Sequence, residues 1–389
     1  MLSQGRCLVL ILFVSCALTA VLAKLGVTFP FRLPSISHTF TFLCGLLTVP
    51  FLKYAFTKSS RAKEDAGNDG SRPSVYGLDH GRLHVELPLP MWMNMGYWYE
   101  HPHNLATACR TLLSEVLTTA GFDRKRDSTE VHRGIRRTKA LIDLGFGCGD
   151  QTIYIKSQIP MRKFDQEWFD NRNAVVIFDH YIGITQDRRQ FQYAEPRVSE
   201  LKQYRSHKPN HPREQAVKNT HIYCGNAADP EAWDSIINPH VLKGFSQAEE
   251  RWVLALDSLY HFSPSRWGTI RHARSLNASL MAFDLCIADH VSLPDLILLR
   301  ILTMLMGAPW ANFVTQTEYH NKLREVGYTE ITMRDVSEHV FGPLAEFMEA
   351  QNRVLNVIGY GLGAFHAARL MFGWWARSGV VRGVIVVAR

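Results

Sequence analysis

The sharpest chemical signal in the chain is Asp143-Leu144-Gly145-Phe146-Gly147-Cys148-Gly149-Asp150-Gln151-Thr152. Glycines at 145, 147 and 149 let the backbone take positive φ and approach a ligand with no Cβ in the way. The turn follows an apolar strand and opens a helix, whose N-terminal amides would face a carboxylate or other polar group. Asp150 stands where a dinucleotide cradle wants glycine, and Asp143 adds negative charge close by, so a cationic ligand suits the turn better than a diphosphate. An ordinary structural turn and a dinucleotide site stay open as alternatives.

His261 is the candidate base. It falls just after a strand, at the carboxyl edge where ligands bind in such sheets, and an imidazole there could take a proton from a hydroxyl or a carbon acid. The alternative is a packed histidine, one of 17 in the chain. Tyr260 is a second, weaker candidate. The 7 cysteines form no CxxC pair and no His/Cys cluster, which points to reduced thiols and to no metal site. Asn277-Ala278-Ser279 is formally a glycosylation sequon, but it precedes a buried strand and reads as incidental.

The elements that must position these groups follow from about residue 80 onward, where short apolar strands alternate with helical stretches. Strands are predicted at 140–144, 181–185, 221–224, 252–257, 280–285, 329–334 and 381–388. Seven strands ending on a long one fit a doubly wound α/β sheet with an antiparallel last strand. Residues 156–173 and 195–219, polar and scattered with Pro, Asn and His, read as surface insertions.

A net charge of +7 favours anionic surroundings, and much of it sits in short runs near 124–139 and 202–213. No aromatic-basic repeat accompanies the runs, so solvated loops come first, anionic lipid headgroups second, and no nucleic acid is expected. Residues 7–23 carry no charge, and 39–56 form a second apolar run, each near the short limit for crossing a bilayer. Lys53, Lys58, Arg61 and Lys63 flank the second, which by the positive-inside rule leaves the rest of the chain in the cytoplasm. The expectation is a membrane-anchoring helical hairpin over 1–58, a linker over 59–80 and one domain over 81–389, on a membrane such as the endoplasmic reticulum. A cleaved signal over 7–23 is the alternative.

Taken together, the turn resembles motif I of the class I S-adenosylmethionine-dependent methyltransferases, and the resemblance runs over most of 90–389. Met93-Asn94-Met95-Gly96-Tyr97-Trp98 resembles the N-x-G-Y-W segment of the sterol, tocopherol and cyclopropane-type small-molecule and lipid methyltransferases. Gly183-Ile184-Thr185 with Gln190 and Ala194 is similar to their second motif, and Gly225-Asn226-Ala227-Ala228 to the turn after their third strand. Leu256-Asp257-Ser258-Leu259-Tyr260-His261-Phe262 resembles the fourth-strand segment that lines their reaction chamber, and Met281-Ala282-Phe283-Asp284 their next strand. Thr185 stands where many members carry an acidic ribose ligand, and Asn277-Ala278-Ser279 replaces their Pro-Gly-Gly turn.

The resemblance implies a Rossmann-like methyltransferase fold and S-adenosyl-L-methionine as cofactor. By it, Asp143, Gly145, Gly147 and Gly149 would surround the methionine portion, Thr185 and Gln186 would lie near the ribose, Asn226 and Ala227 would approach the adenine, and Gln190 of the second motif would join the cofactor-binding set. Asp257 would sit close to the sulfonium. Tyr97 and Trp98 would close over the cofactor or else form a core aromatic pair. Apolar segments near 293–313 and 354–375 would cap a hydrophobic acceptor or else be plain core helices, and Trp374-Trp375 with Arg377 would lie at the membrane interface. The implied activity is methyl transfer to a hydrophobic small molecule or lipid at a membrane. A degenerate scaffold of the same fold and a nicotinamide-dependent oxidoreductase are the alternatives.

Overall fold

The computed structural model describes residues 89–99, 104–122, 137–157, 178–205 and 218–389. The expected anchor, the linker and most of the 156–173 insertion lie outside the described residues. The chain divides into residues 1–77 and 78–389, and every described residue belongs to the second unit. Among the described residues no helix is long and apolar enough to cross a membrane.

All seven predicted strands form, in one sheet. They are β1 (Lys139–Leu144), β2 (His180–Thr185), β3 (Thr220–Cys224), β4 (Glu250–Leu256), β5 (Ser279–Ile287), β6 (Ile331–Asp335) and β7 (Val381–Ala388), in the order β3-β2-β1-β4-β5-β7-β6. β7 runs antiparallel to both β5 and β6, and the other pairings are parallel. Unbroken apolar runs such as Leu280–Phe283 are what a sheet covered on both faces requires. The pleat sorts them: Met281, Phe283 and Leu285 join one core cluster, while Leu280, Ala282 and Cys286 join the other.

On the first face lie α1 (Leu105–Thr119), α6 (Leu293–Leu305), α8 (Phe341–Val357) and α9 (Phe365–Ser378), through buried residues such as Leu112, Leu299, Phe341 and Trp375. On the second lie α4 (Pro239–Gln247), α5 (Arg266–Ser275) and α7 (Gln316–Val326), through Phe245, Ile270 and Leu323. α2 (Asp150–Ser157) and α3 (Arg188–Arg205) follow β1 and β2. α3 corrects the expected insertion over 195–219: residues 195–205 are helical, and 206–217 lie outside the described residues. Pro196 and a polar composition hide the buried stripe of Ala194, Val198 and Leu201, spaced for one helix face.

The apolar segment over 354–375 is not one helix. The stretch over 354–375 is broken between α8 and α9, where Gly359 and Gly363 take positive φ. Trp375 is buried against Phe341 and Phe372, and Trp374 is half-buried with its Nε1 donating to Asp295, so this pair is core rather than a membrane-facing belt.

Inside the second layer, Arg266 of α5 is fully buried and pairs with the equally buried Asp284 of β5. The Tyr319 hydroxyl also donates to Asp284, at 3.0 Å. Arg266→Met therefore leaves a carboxylate in the core without its cation and should cost about 3–5 kcal/mol in urea unfolding. Adding Asp284→Leu should restore most of that loss. A loss in the single variant that the second change does not relieve contradicts this account of the pair.

Candidate active site

The strand order reverses between β1 and β4, so the chains leaving their carboxyl ends part and open a crevice. A cavity of about 450 Å³ fills it, walled by the segments after β1, β2, β3 and β4 and by Met91, Trp92, Met93 and Asn94. Such a crevice is where an open α/β sheet places a ligand.

The glycine turn has the predicted form. Gly145, Gly147 and Gly149 have φ of 92°, 66° and 92°. Gly145 and Gly147 line the cavity, and Gly149 does not. A Cβ on Gly149 would come within 2.9 Å of Ala194 Cβ, so this glycine lets α3 pack against the turn. Asp143 is also placed differently from its expected role. It lies fully buried beneath the turn, outside the cavity wall, accepting from Gln151 Nε2 at 2.7 and 2.8 Å and from the Tyr181 hydroxyl at 2.6 Å. Burial raises its pKa to about 6. It thus braces Gln151, which does line the cavity and whose amide nitrogen is committed to the carboxylate.

Two carboxylates hold the segment before α1 across the mouth of the turn. Asp150 Oδ2 accepts from Met91 N at 3.1 Å, and Asp257 Oδ2 accepts from Met95 N at 2.8 Å. Farther along, Tyr97 and Trp98 do not reach the cavity. The Trp98 ring packs 4.9 Å from Phe347 and the Tyr97 ring 4.8 Å from His339, while Trp98 N donates to His339 O. They are the aromatic pair of the core, and the covering role falls to residues 91–94, which sequence reasoning left without one. Gly96, at φ 77°, allows this because a Cβ there would sit 2.7 Å from Ala108 Cβ.

Asp257 follows β4 directly, with φ 62°, ending the strand one residue earlier than predicted. Its carboxylate is hydrogen-bonded by Tyr260, yet its Oδ1 is buried with no partner among the described residues. Desolvation raises the Asp257 pKa to about 7. Tyr260 is pushed well above the ordinary phenol value by burial and by the Asp257 charge, so it keeps its proton and serves as a donor rather than a base. His261 stands beside it, ring centroids 4.2 Å apart, on the cavity wall with part of its surface exposed. Desolvation lowers its pKa, which leaves a neutral imidazole at pH 7 able to accept a proton.

Thr185, Gln186, Gln190, Asn226 and Ala227 all line the cavity as expected, and the Thr185 hydroxyl hydrogen-bonds Gln190 Oε1 at 2.9 Å. Asp187 joins them unforeseen. It accepts from the backbone of Arg189 and Gln190 at the start of α3, a capping pattern readable in the sequence as Asp before a helix. Asp150, Asp187 and Asp257 are on the wall, and among the described residues that line it there is no Lys or Arg. Asp150 is already paired with Arg197 of α3 at 2.8 Å, which leaves the half-buried Asp257, with its buried Oδ1, as the wall acid without a cation among the described residues.

Neither a family model nor a curated protein sequence matches the chain. Among solved structures it is similar to the [4+2]-cyclase SpnF, with TM-score 0.47 and 17% identity over 80% of this chain and 91% of that one. It is also similar to the cyclopropane synthase MmaA2 from Mycobacterium tuberculosis, with TM-score 0.47 and 11% identity over 76% and 90%. A geranyl diphosphate methyltransferase in complex with GPP and sinefungin gives TM-score 0.44 and 13% identity over 73% and 80%.

The raised pKa of Asp257 has a stability signature. Between the unfolded value near 4 and the folded value of about 7, the folded chain holds a proton that the unfolded chain releases. Stability from this group therefore falls as pH rises through that window, by up to ~1.4 kcal/mol per unit, and levels off above it. Urea unfolding of wild type and Asp257→Asn from pH 4.5 to 8 should show the variant gaining on wild type up to about pH 7. A difference that does not vary with pH contradicts the assignment.

Proposed function

We propose that the chain is an S-adenosylmethionine-dependent methyltransferase whose acceptor is a hydrophobic small molecule or lipid at a membrane. The observation that carries the reading is Asp257, its Oδ1 buried and unpartnered among the described residues, in the wall of a cavity whose described lining also holds Asp150 and Asp187 but no Lys or Arg. A diphosphate would find no cation in that wall, whereas a positively charged ligand would find an acid that its charge favours ionising. When bound, S-adenosylmethionine supplies a methyl group on a positively charged sulfur.

The residues present suit that group. Asp257 would balance the cation, the backbone at Gly145 and Gly147 would approach the methionine portion, and Gln151 would offer an amide oxygen. Thr185, Gln186, Gln190 and Asp187 give a polar edge for hydroxyls, and Asn226 and Ala227 a wall for a flat ring. Residues 91–94 shield the crevice from water, which in-line displacement at carbon needs along with fixed alignment. His261, neutral at pH 7, would take the proton that the acceptor hydroxyl or carbon acid gives up. On the pattern of the sequence, residues 1–58 would anchor the enzyme, on the endoplasmic reticulum, with its domain facing the cytoplasm where the cofactor is made.

Titration calorimetry with S-adenosylmethionine and with NADPH tests the ligand: the first should bind and the second should not. Methyl release from a labelled donor with membrane extract tests the reaction, and lipid profiling should reveal products heavier by one methylene. His261→Gln should lower turnover roughly 100-fold while leaving S-adenosylhomocysteine affinity unchanged. Binding of NADPH alone, or full activity in the variant, contradicts the reading.

A further inference from the structure

Helix α6 is apolar on nearly every side, with Asp295 and Arg300 its only charges, although it lies on the surface. Leu299 and Thr303 face the core. At 3.6 residues per turn, Leu293, Ile297 and Met304 fall on the opposite side, and Leu293 is 68% exposed. A helix of that kind in a water-exposed layer lacks a partner for its outer face. Its neighbour extends the pattern: Trp374 Nε1 of α9 donates to Asp295 Oδ1 of α6 at 3.1 Å. At the turn joining α8 and α9, Val357 is 76% and Phe365 65% exposed.

Among these side chains the positive charges narrowly outnumber the negative. Over 293–306 and 346–378 the sequence carries Arg300, Arg353, Arg369 and Arg377 against Asp295, Glu346 and Glu349. Asp295 is engaged by Ser292 and Trp374. Arg369 pairs with Glu349, Arg300 lies 4.8 Å over the Trp310 ring, and Arg353 and Arg377 are exposed. Exposed aliphatic side chains edged by arginines are what a bilayer surface with anionic headgroups recognises. The chain's own 7–23 segment carries no charge to answer the arginines, which sets it behind the bilayer as an occupant.

The position matters for chemistry. α6 leaves the carboxyl end of β5, and α9 leads into Val381, which pairs with Ile287 at that same end. The exposed face thus belongs to the edge of the sheet that holds the cavity. We propose that α6 and the α8–α9 turn dock on the lipid–water interface of a bilayer containing anionic lipid. The idea deepens, and for the delivery of the acceptor rests on, the reading of a membrane-located substrate.

The test uses the full chain in phosphatidylcholine vesicles, with and without phosphatidylserine, doped with a lipid carrying a photoreactive diazirine on its acyl chain. Adducts mapped by peptide mass spectrometry should fall within 293–305 and 354–370 and rise several-fold with phosphatidylserine. A variant combining Ile297→Asp, Leu305→Asp and Val357→Asp, all at exposed positions, should lose those adducts by about tenfold. Its unchanged affinity for S-adenosylhomocysteine would show that it is folded. Adducts confined to residues 1–58, equal adducts in variant and wild type, or a face covered without lipid by residues 7–56 or by a second copy would each overturn the proposal. A wild-type chain that takes adducts on this face yet binds no S-adenosylhomocysteine supports the docking face and removes the proposed chemistry.

Discussion

The Asp257 carboxylate joins the scaffold to the site. One oxygen receives the Met95 amide and so fixes the segment that covers the cavity. The other is buried at the end of β4 with no hydrogen-bond partner among the described residues. Burying a carboxylate oxygen unpaired is unfavourable, and the raised pKa expresses that directly. The fold tolerates it because the surrounding layers over-determine the place: β4 is held between β1 and β5, and Ser258 Oγ donates to Leu144 O at 2.7 Å. Such a place would suit the proposed cationic ligand once the acid is ionised.

The covering segment and the glycine turn form one assembly around that acid. Asp150 fixes Met91, Asp257 fixes Met95, and the packing of Tyr97 and Trp98 on α8 and its lead-in anchors the far end. Gly96 and Gly149 each permit a close approach, of the strap to α1 and of the turn to α3, that a Cβ would prevent. Arg197 answers Asp150 from α3 and thereby frees the remaining acidity of the wall for a ligand. The outer apolar helices take no part in the wall, which separates ligand capture at the crevice from whatever the exposed face meets.

Much of this was legible in the sequence because the signals were local. Each strand was a short apolar run between polar turns, and the positive φ of the three glycines followed from their spacing. Thr185, Gln190, Asn226, Tyr260 and His261 reach the cavity since each lies at, or within five residues after, the carboxyl end of a strand, a region that topology alone assigns to the site. What the sequence hid was direction. Asp143 sits in a strand whose alternation turns it beneath the sheet edge, toward Tyr181 and Gln151, and no spacing reveals which way that carboxylate reaches. Tyr97 and Trp98 were indistinguishable from a lid until α8, far along the chain, supplied their packing partners. Whether the segments near 293–313 and 354–375 cap an acceptor or are plain core helices stayed open because hydropathy measures composition and not which side meets water.

The most direct test is the pH dependence of S-adenosylmethionine affinity in wild type and Asp257→Asn. A cation beside Asp257 requires the ionised acid, so binding below about pH 7 must expel a proton. The dissociation constant of wild type should tighten roughly tenfold per unit up to that point and then level, while the variant binds weakly and without this slope. Equal, pH-independent affinity in both proteins would contradict the central role given to this carboxylate.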